Sequence, residues 1–178
     1  TGWSGFTLPQ MAIGYEVELT PMQILAFYNA VANNGELVKP QFVKEIRKEG
    51  HTLKTFDKVV LREKICSDET LEKLKICLEG VVERGTGSGL KTANLHIAGK
   101  TGTAQLVNAN LGYEGAGYLA SFAGYFPAEK PKYSCIVSIA GPTKNIYGAE
   151  VSGTVFAAIA NKVFSSSMEY HPNYNGLN

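Results

Sequence analysis

His96-Ile97-Ala98-Gly99-Lys100-Thr101-Gly102-Thr103-Ala104-Gln105, then Tyr118-Leu119-Ala120-Ser121-Phe122-Ala123-Gly124-Tyr125-Phe126, then Tyr133 to Ile139, decide the fold class. All three runs are short, apolar or alternating, and separated by Gly, Pro and Asn. Their connections are too short for a crossover helix, so the strands are expected to pair antiparallel. Val151 to Phe164 follows, with Val155, Phe156, Ile159 and Val163 set among Ala157, Ala158 and Ala160. A helix that is apolar nearly all round is expected to lie buried between layers. The pattern predicts an α+β fold, an antiparallel sheet with helices packed on its faces.

Toward the N-terminus, the spacing predicts a helix over 21–34. Thr20 is a suitable cap, Pro21 suits the first helical position, and Gly35 stops the helix. Met22, Leu25, Tyr28 and Val31 would form its core stripe. Phe42 to Arg47 and Thr52 to Phe56 flank Glu49-Gly50-His51 and read as a polar hairpin. A second helix is predicted over 68–84, capped by Ser67, with Asp68 and Glu69 at its positive end and Gly85 closing it. Leu71, Leu74, Leu78, Val81 and Val82 make its apolar stripe. Residues 36–84 hold eleven of the 17 Lys and Arg and ten of the 16 Asp and Glu. The buried sheet is therefore expected in the second half, and a solvated margin in the first.

The 178 residues carry a net charge of +1. That balance argues against a nucleic-acid binder, which normally shows a basic face or stripe. No apolar run approaches the ~20 residues needed to span a membrane. The chain opens at Thr1 without Met or a signal-like stretch, so it reads as cut from something longer, with any anchor elsewhere. Cys66, Cys77 and Cys135 show no zinc spacing. Cys66 and Cys77 stand around a helix start, too far apart for a disulfide at about 1.5 Å of rise per residue. They read as buried or half-buried thiols. No metal or cofactor is implied.

Two stretches invite a chemical reading. Arg84-Gly85-Thr86-Gly87-Ser88-Gly89-Leu90-Lys91-Thr92 has the look of a phosphate loop, but Leu90 stands where a P-loop has Gly before its Lys. It also closes a helix and leads into a strand, the reverse of the P-loop order, so it is expected to be a flexible connection. The other is Lys100-Thr101-Gly102-Thr103. Alternation puts Thr101 and Thr103 on one face of the strand and Lys100 and Gly102 on the other. Two hydroxyls beside an ammonium form a receptor for a carboxylate. Gly102 leaves room for a second backbone or a ligand. The plainer alternative is an edge strand with a solvated Lys. His51, His96 and His171 make no catalytic constellation, and Lys144 and Glu150 read as loop charges. Trp3 and Phe6 read as packing residues.

Ala98 to Gln105, led in by Gly85-Thr86-Gly87, resembles the third motif of the penicillin-binding transpeptidases. Ala12-Ile13-Gly14-Tyr15, Leu19 to Gln23 and Ala32-Asn33-Asn34-Gly35 are similar to the family's helix after its second motif. Ser121 to Pro127 is similar to its next sheet strand. The likeness spans residues 1–165, with 166–178 a tail or linker, and is nearest to the division-type class B enzymes. It implies the C-terminal half of a transpeptidase domain with a β-lactamase/transpeptidase-like fold. In the family's order the nucleophilic Ser, its Lys and the Ser-x-Asn motif would precede Thr1. It further implies a peptidoglycan D,D-transpeptidase that cross-links stem peptides through an acyl-serine and binds β-lactam antibiotics. The parent would be anchored in the inner membrane, face the periplasm and meet cell-division proteins. Lys100 would act in catalysis and draw in the substrate carboxylate, which Thr101, Gly102 and Thr103 would bind. The Thr103 N–H would serve the oxyanion hole. The chain alone is expected to be inactive, and its exposed apolar surface to seek a dimer or packing partner. The same motif also allows a serine β-lactamase or carboxypeptidase, or a non-catalytic sensor.

Overall fold

The computed structural model describes residues 5–15, 17–107 and 117–167. Helix α1 covers Thr7–Ala12 and α2 covers Pro21–Ala32. Strands β1 (Leu37–Val38), β2 (Glu45–Lys48), β3 (His51–Thr55) and β4 (Val60–Arg62) precede α3 (Asp68–Arg84). Strands β5 (Ala98–Gln105), β6 (Tyr118–Phe126) and β7 (Tyr133–Ala140) come next, and α4 (Thr154–Ser165) closes the order. The expected α+β architecture is present.

The helix ends follow local chemistry. Thr20 and Gln23 form a reciprocal cap, with the Gln23 N–H donating to Thr20 Oγ1 at 3.3 Å and the Thr20 N–H to Gln23 Oε1 at 2.8 Å. Helix α2 stops at Ala32, two residues short of the predicted end, because Asn34 and Gly35 take φ values of 53° and 90°. Those left-handed residues turn the chain, and the Gly35 N–H closes the end on the Ala30 carbonyl at 2.7 Å. Helix α3 matches its predicted span, with Ser67 Oγ accepting from the Thr70 N–H.

Strands β5, β6 and β7 form one antiparallel sheet in that order, in unbroken register from Ala98↔Tyr125 to Gln105↔Tyr118 and from Leu119↔Ala140 to Phe126↔Tyr133. Among the described residues β5 pairs with β6 alone and so forms an edge. Alternation along β6 sends Phe122 and Phe126 to one face and Tyr125 to the other. On the first face Phe156 of α4 meets both rings edge-on, at 4.7 and 5.8 Å, with Leu90, Leu95 and Ile97 around them. On the second face Tyr125 and Ala98 pack with Val31 of α2 and Leu71 and Leu78 of α3. A bond of 3.1 Å from Asn29 Nδ2 to Ser134 Oγ ties α2 to β7.

Several expectations change. Helix α4 is not buried all round: Phe156 and Ala160 face the sheet while Val155 and Ile159 are exposed. Its apolar far side has no layer above it among the described residues. Met22 is exposed, so the buried part of the α2 stripe lies toward Val31. Phe6 is largely exposed, and Trp3 and His171 lie outside the described residues. Cys77 is also exposed. The Gly-rich stretch is a packed turn, not a flexible link. Gly85 and Gly87 N–H groups both donate to the Val81 carbonyl, and one turn of 3-10 helix at Ser88–Leu90 buries Leu90. Most of the predicted tail, from residue 168 on, is outside the described residues.

Candidate active site

Edge strand β5 carries the four residues singled out in the sequence. Lys100 is exposed, Thr101 and Gly102 are half-buried, and Thr103 is exposed. The Lys100 ammonium folds back on its neighbour, donating to the Thr101 carbonyl at 2.9 Å and to Thr101 Oγ1 at 3.2 Å. Thr101 Oγ1 also lies 3.0 Å from Thr86 Oγ1, on the turn that leads into the strand. Thr103 Oγ1 accepts from the Gly148 N–H at 3.1 Å and keeps its own proton to donate. The ammonium is thus joined directly to the first hydroxyl and not to the second.

Glycine at Gly102 and at Gly148 clears two different neighbours. A Cβ on Gly102 would strike Ser121 Oγ, its cross-strand partner. A Cβ on Gly148 would strike the backbone oxygens of Gly102 and Ser121. Gly148 and the π-helical turn Ala149–Gly153 that leads into α4 therefore lie close on the backbone of β5 and β6, and it is the glycine at Gly148 that permits this. Buried Ser152 fixes that turn, its Oγ donating to the Ala120 carbonyl at 2.9 Å. At the far end of β5 the Gln105 N–H reaches the Tyr15 hydroxyl at 3.4 Å. An ammonium, two threonine hydroxyls and a sheet edge can together hold an extended chain by its carboxylate.

The sequence profile of the penicillin-binding protein transpeptidase domain matches residues 1–161. The chain belongs to this transpeptidase family. Stage V sporulation protein D of Bacillus subtilis is 33% identical over 159 residues, covering 88% of this chain and 24% of that protein. Peptidoglycan D,D-transpeptidase FtsI of Escherichia coli is 29% identical over 160 residues, covering 88% of this chain and 25% of that protein. The chain therefore spans about a quarter of the length of these curated relatives. Penicillin-binding protein 3 from Mycobacterium tuberculosis, solved in complex with aztreonam, superposes with a TM-score of 0.77 at 30% identity. That match covers 92% of this chain and 38% of the solved one.

In this transpeptidase family a Ser-x-x-Lys pair carries the nucleophile. Such spacing also occurs within the chain, at Ser88 and Lys91. Its geometry is unsuited to that role. Ser88 begins a single 3-10 turn, and the Lys91 ammonium is ion-paired to Glu83 instead of facing the hydroxyl. A base must reach the proton it removes. No Ser-x-Asn occurs in the 178 residues.

Two neighbours of the site were not singled out by sequence. Thr86 lies in the Gly85-Thr86-Gly87 lead-in, and its contact with Thr101 gives it a place in the site. Gly148 is 45 residues from Thr103 and has no local signal. Exposed His96 has Nδ1 3.8 Å from a Glu129 carboxylate oxygen, away from the Lys100 cluster's contacts.

Proposed function

We propose that the chain is the KTG-bearing portion of a serine-type peptidoglycan D,D-transpeptidase, with residues 1–165 forming that portion and 166–178 a tail. The observation that carries this reading is the β5 edge, where the Lys100 ammonium bonds to Thr101 and Thr103 presents a free donor. Thr101 and Thr103 would hold the terminal carboxylate of a stem peptide, or of a β-lactam that mimics it. Gly102 leaves the strand open to the bound chain between the two threonines, and the Gly148 N–H braces the Thr103 hydroxyl. Lys100 supplies positive potential beside the reacting serine. The Thr103 N–H would contribute to the oxyanion hole, where one donor typically accounts for 10²–10³ in rate.

The nucleophilic serine, its lysine and the Ser-x-Asn motif would come from polypeptide outside these residues. The parent would be anchored in the inner membrane, face the periplasm and work with cell-division proteins. No helix among the described residues is long and apolar enough to cross a membrane. Exposed Phe42, Leu53, Val155 and Ile159 support a further packing partner, whether the rest of the domain or a second copy.

The test is intact mass after incubation with penicillin, for this chain and for a protein extended upstream to include the serine. The extended protein should gain one adduct and this chain none. Lys100→Ala in the extended protein should slow labelling by about 10² or more, in line with loss of a preorganised charge. Labelling at an unchanged rate would remove Lys100 from the site.

A further inference from the structure

The loop that braces β5 also walls a cavity of about 510 Å³, lined in part by Thr86, Ser88, Gly89, Ala149 and Glu150. Thr86 joins the cavity to the receptor strand, because its hydroxyl lies 3.0 Å from that of Thr101. Glu150 is the one charged residue lining the cavity among the described residues. Two contacts hold it there. Its carboxylate accepts from Asn145 Nδ2, and its backbone carbonyl accepts from Thr154 Oγ1 at 2.9 Å. The cavity is thus anionic, while the strand beside it presents the Lys100 ammonium.

We propose that this cavity is the acceptor subsite of the transfer reaction and that Glu150 holds the acceptor's ammonium; the assignment rests on the transpeptidase reading above. In acyl transfer through a covalent intermediate, the incoming amine reaches the acyl carbon through the space the leaving amine vacated. That leaving residue is the one whose carboxylate Thr101 and Thr103 hold. The acceptor therefore enters at the Thr101 end of the strand, where the cavity lies. Its ammonium gives one proton to solvent, and the nitrogen forms the new amide bond to the acyl carbon. The ester bond to the serine oxygen breaks, and the second proton passes to that oxygen. A carboxylate beside this path concentrates cationic amines over water, so Glu150 sets acceptor preference without touching the acyl carbon.

The experiment uses the full protein with its serine, a D-alanyl thioester as donor, and two acceptors of the same shape. Glycinamide carries an ammonium, and glycolamide carries a hydroxyl in its place. The readout is the partition of acyl-enzyme between transfer and hydrolysis, which does not depend on how much enzyme is folded. Glu150→Gln should raise the KM for glycinamide about three- to five-fold, the range of an exposed ion pair, and Glu150→Asp should restore part of it. Partition to glycolamide should stay within experimental error. An unchanged glycinamide KM in Glu150→Gln, or an equal rise for both acceptors, overturns the assignment and leaves the transpeptidase reading standing. A wild-type protein that forms no acyl-enzyme overturns both.

Discussion

Strands β5 to β7 and the hairpin of β2 and β3 are both antiparallel, yet only the first pair of ladders is held by apolar burial on two faces. In the sheet, Phe122 and Phe126 are buried under α4 and Tyr125 is buried over α2 and α3. A slip of one residue would exchange those faces, so the register is fixed and runs without a break. In the hairpin every residue of β3 is exposed, and the register shifts between Ile46 and Arg47. Its geometry comes from the turn, where Glu49 and Gly50 take φ values of 50° and 81°. The contrast teaches that this chain's stability resides in the sheet covered on both faces and in its aromatic layer. Phe156→Ala should break that layer, since the ring meets both Phe122 and Phe126 and is fully buried. The expected loss is about 3–5 kcal/mol in denaturant unfolding. A loss under about 1 kcal/mol would show that the two-faced core does not carry the fold.

The same contrast explains what could be read from residues alone. Helices α2 and α3 were legible because their caps are local: Thr20 with Gln23, and Ser67 with Thr70, lie three residues apart. The three sheet strands were legible from period-two alternation. The Lys100-Thr101-Gly102-Thr103 motif was legible because its chemistry lies on one strand. The four short strands of the first half were only half visible, since β1 pairs with β4 across the intervening hairpin. The open side of α4 was not visible at all. An apolar helix exposed at Val155 and Ile159 has the same sequence as one covered there. Thr86 and Gly148 entered the site through contacts 15 and 45 residues long, which no local pattern encodes.

A second change sharpens the comparison inside the sheet. Tyr125 is fully buried, and its hydroxyl has no hydrogen-bond partner among the described residues. Burial, and secondarily the carboxylates of Glu79 and Glu72, push its phenol far above the usual tyrosine range. Tyr125→Phe removes an unpaired buried group at nearly constant shape, so it should stabilise by about 1 kcal/mol at neutral pH. The sign with pH follows from the neutral folded form. The protonated phenol is stable in the fold below about pH 10, and stability falls above it by up to about 1.4 kcal/mol per pH unit as the unfolded phenol ionises. The Phe variant should lose that share of the alkaline slope, while Tyr28, also raised by burial, keeps its own. Equal slopes in the two proteins would mean that Tyr125 reaches solvent or a partner.

The smallest effect is expected where the backbone pattern is the same and burial is absent. Leu53 sits in the middle of β3 and is 64% exposed. Leu53→Ser should change global stability by no more than about 0.5 kcal/mol, because surface substitutions away from caps and cores usually do no more. Amide exchange gives the finer test. A two-stranded hairpin is marginal by itself, so β2 and β3 amides should exchange through local opening well below the free energy that opens β6. The Ser variant should lower hairpin protection and leave β6 unchanged. If Leu53→Ser instead cost more than about 2 kcal/mol, or slowed and fast amides responded together, the hairpin would be packed against something in solution. A dimer or the remaining part of the domain would then cover Leu53, and the loss should grow with whichever partner is added.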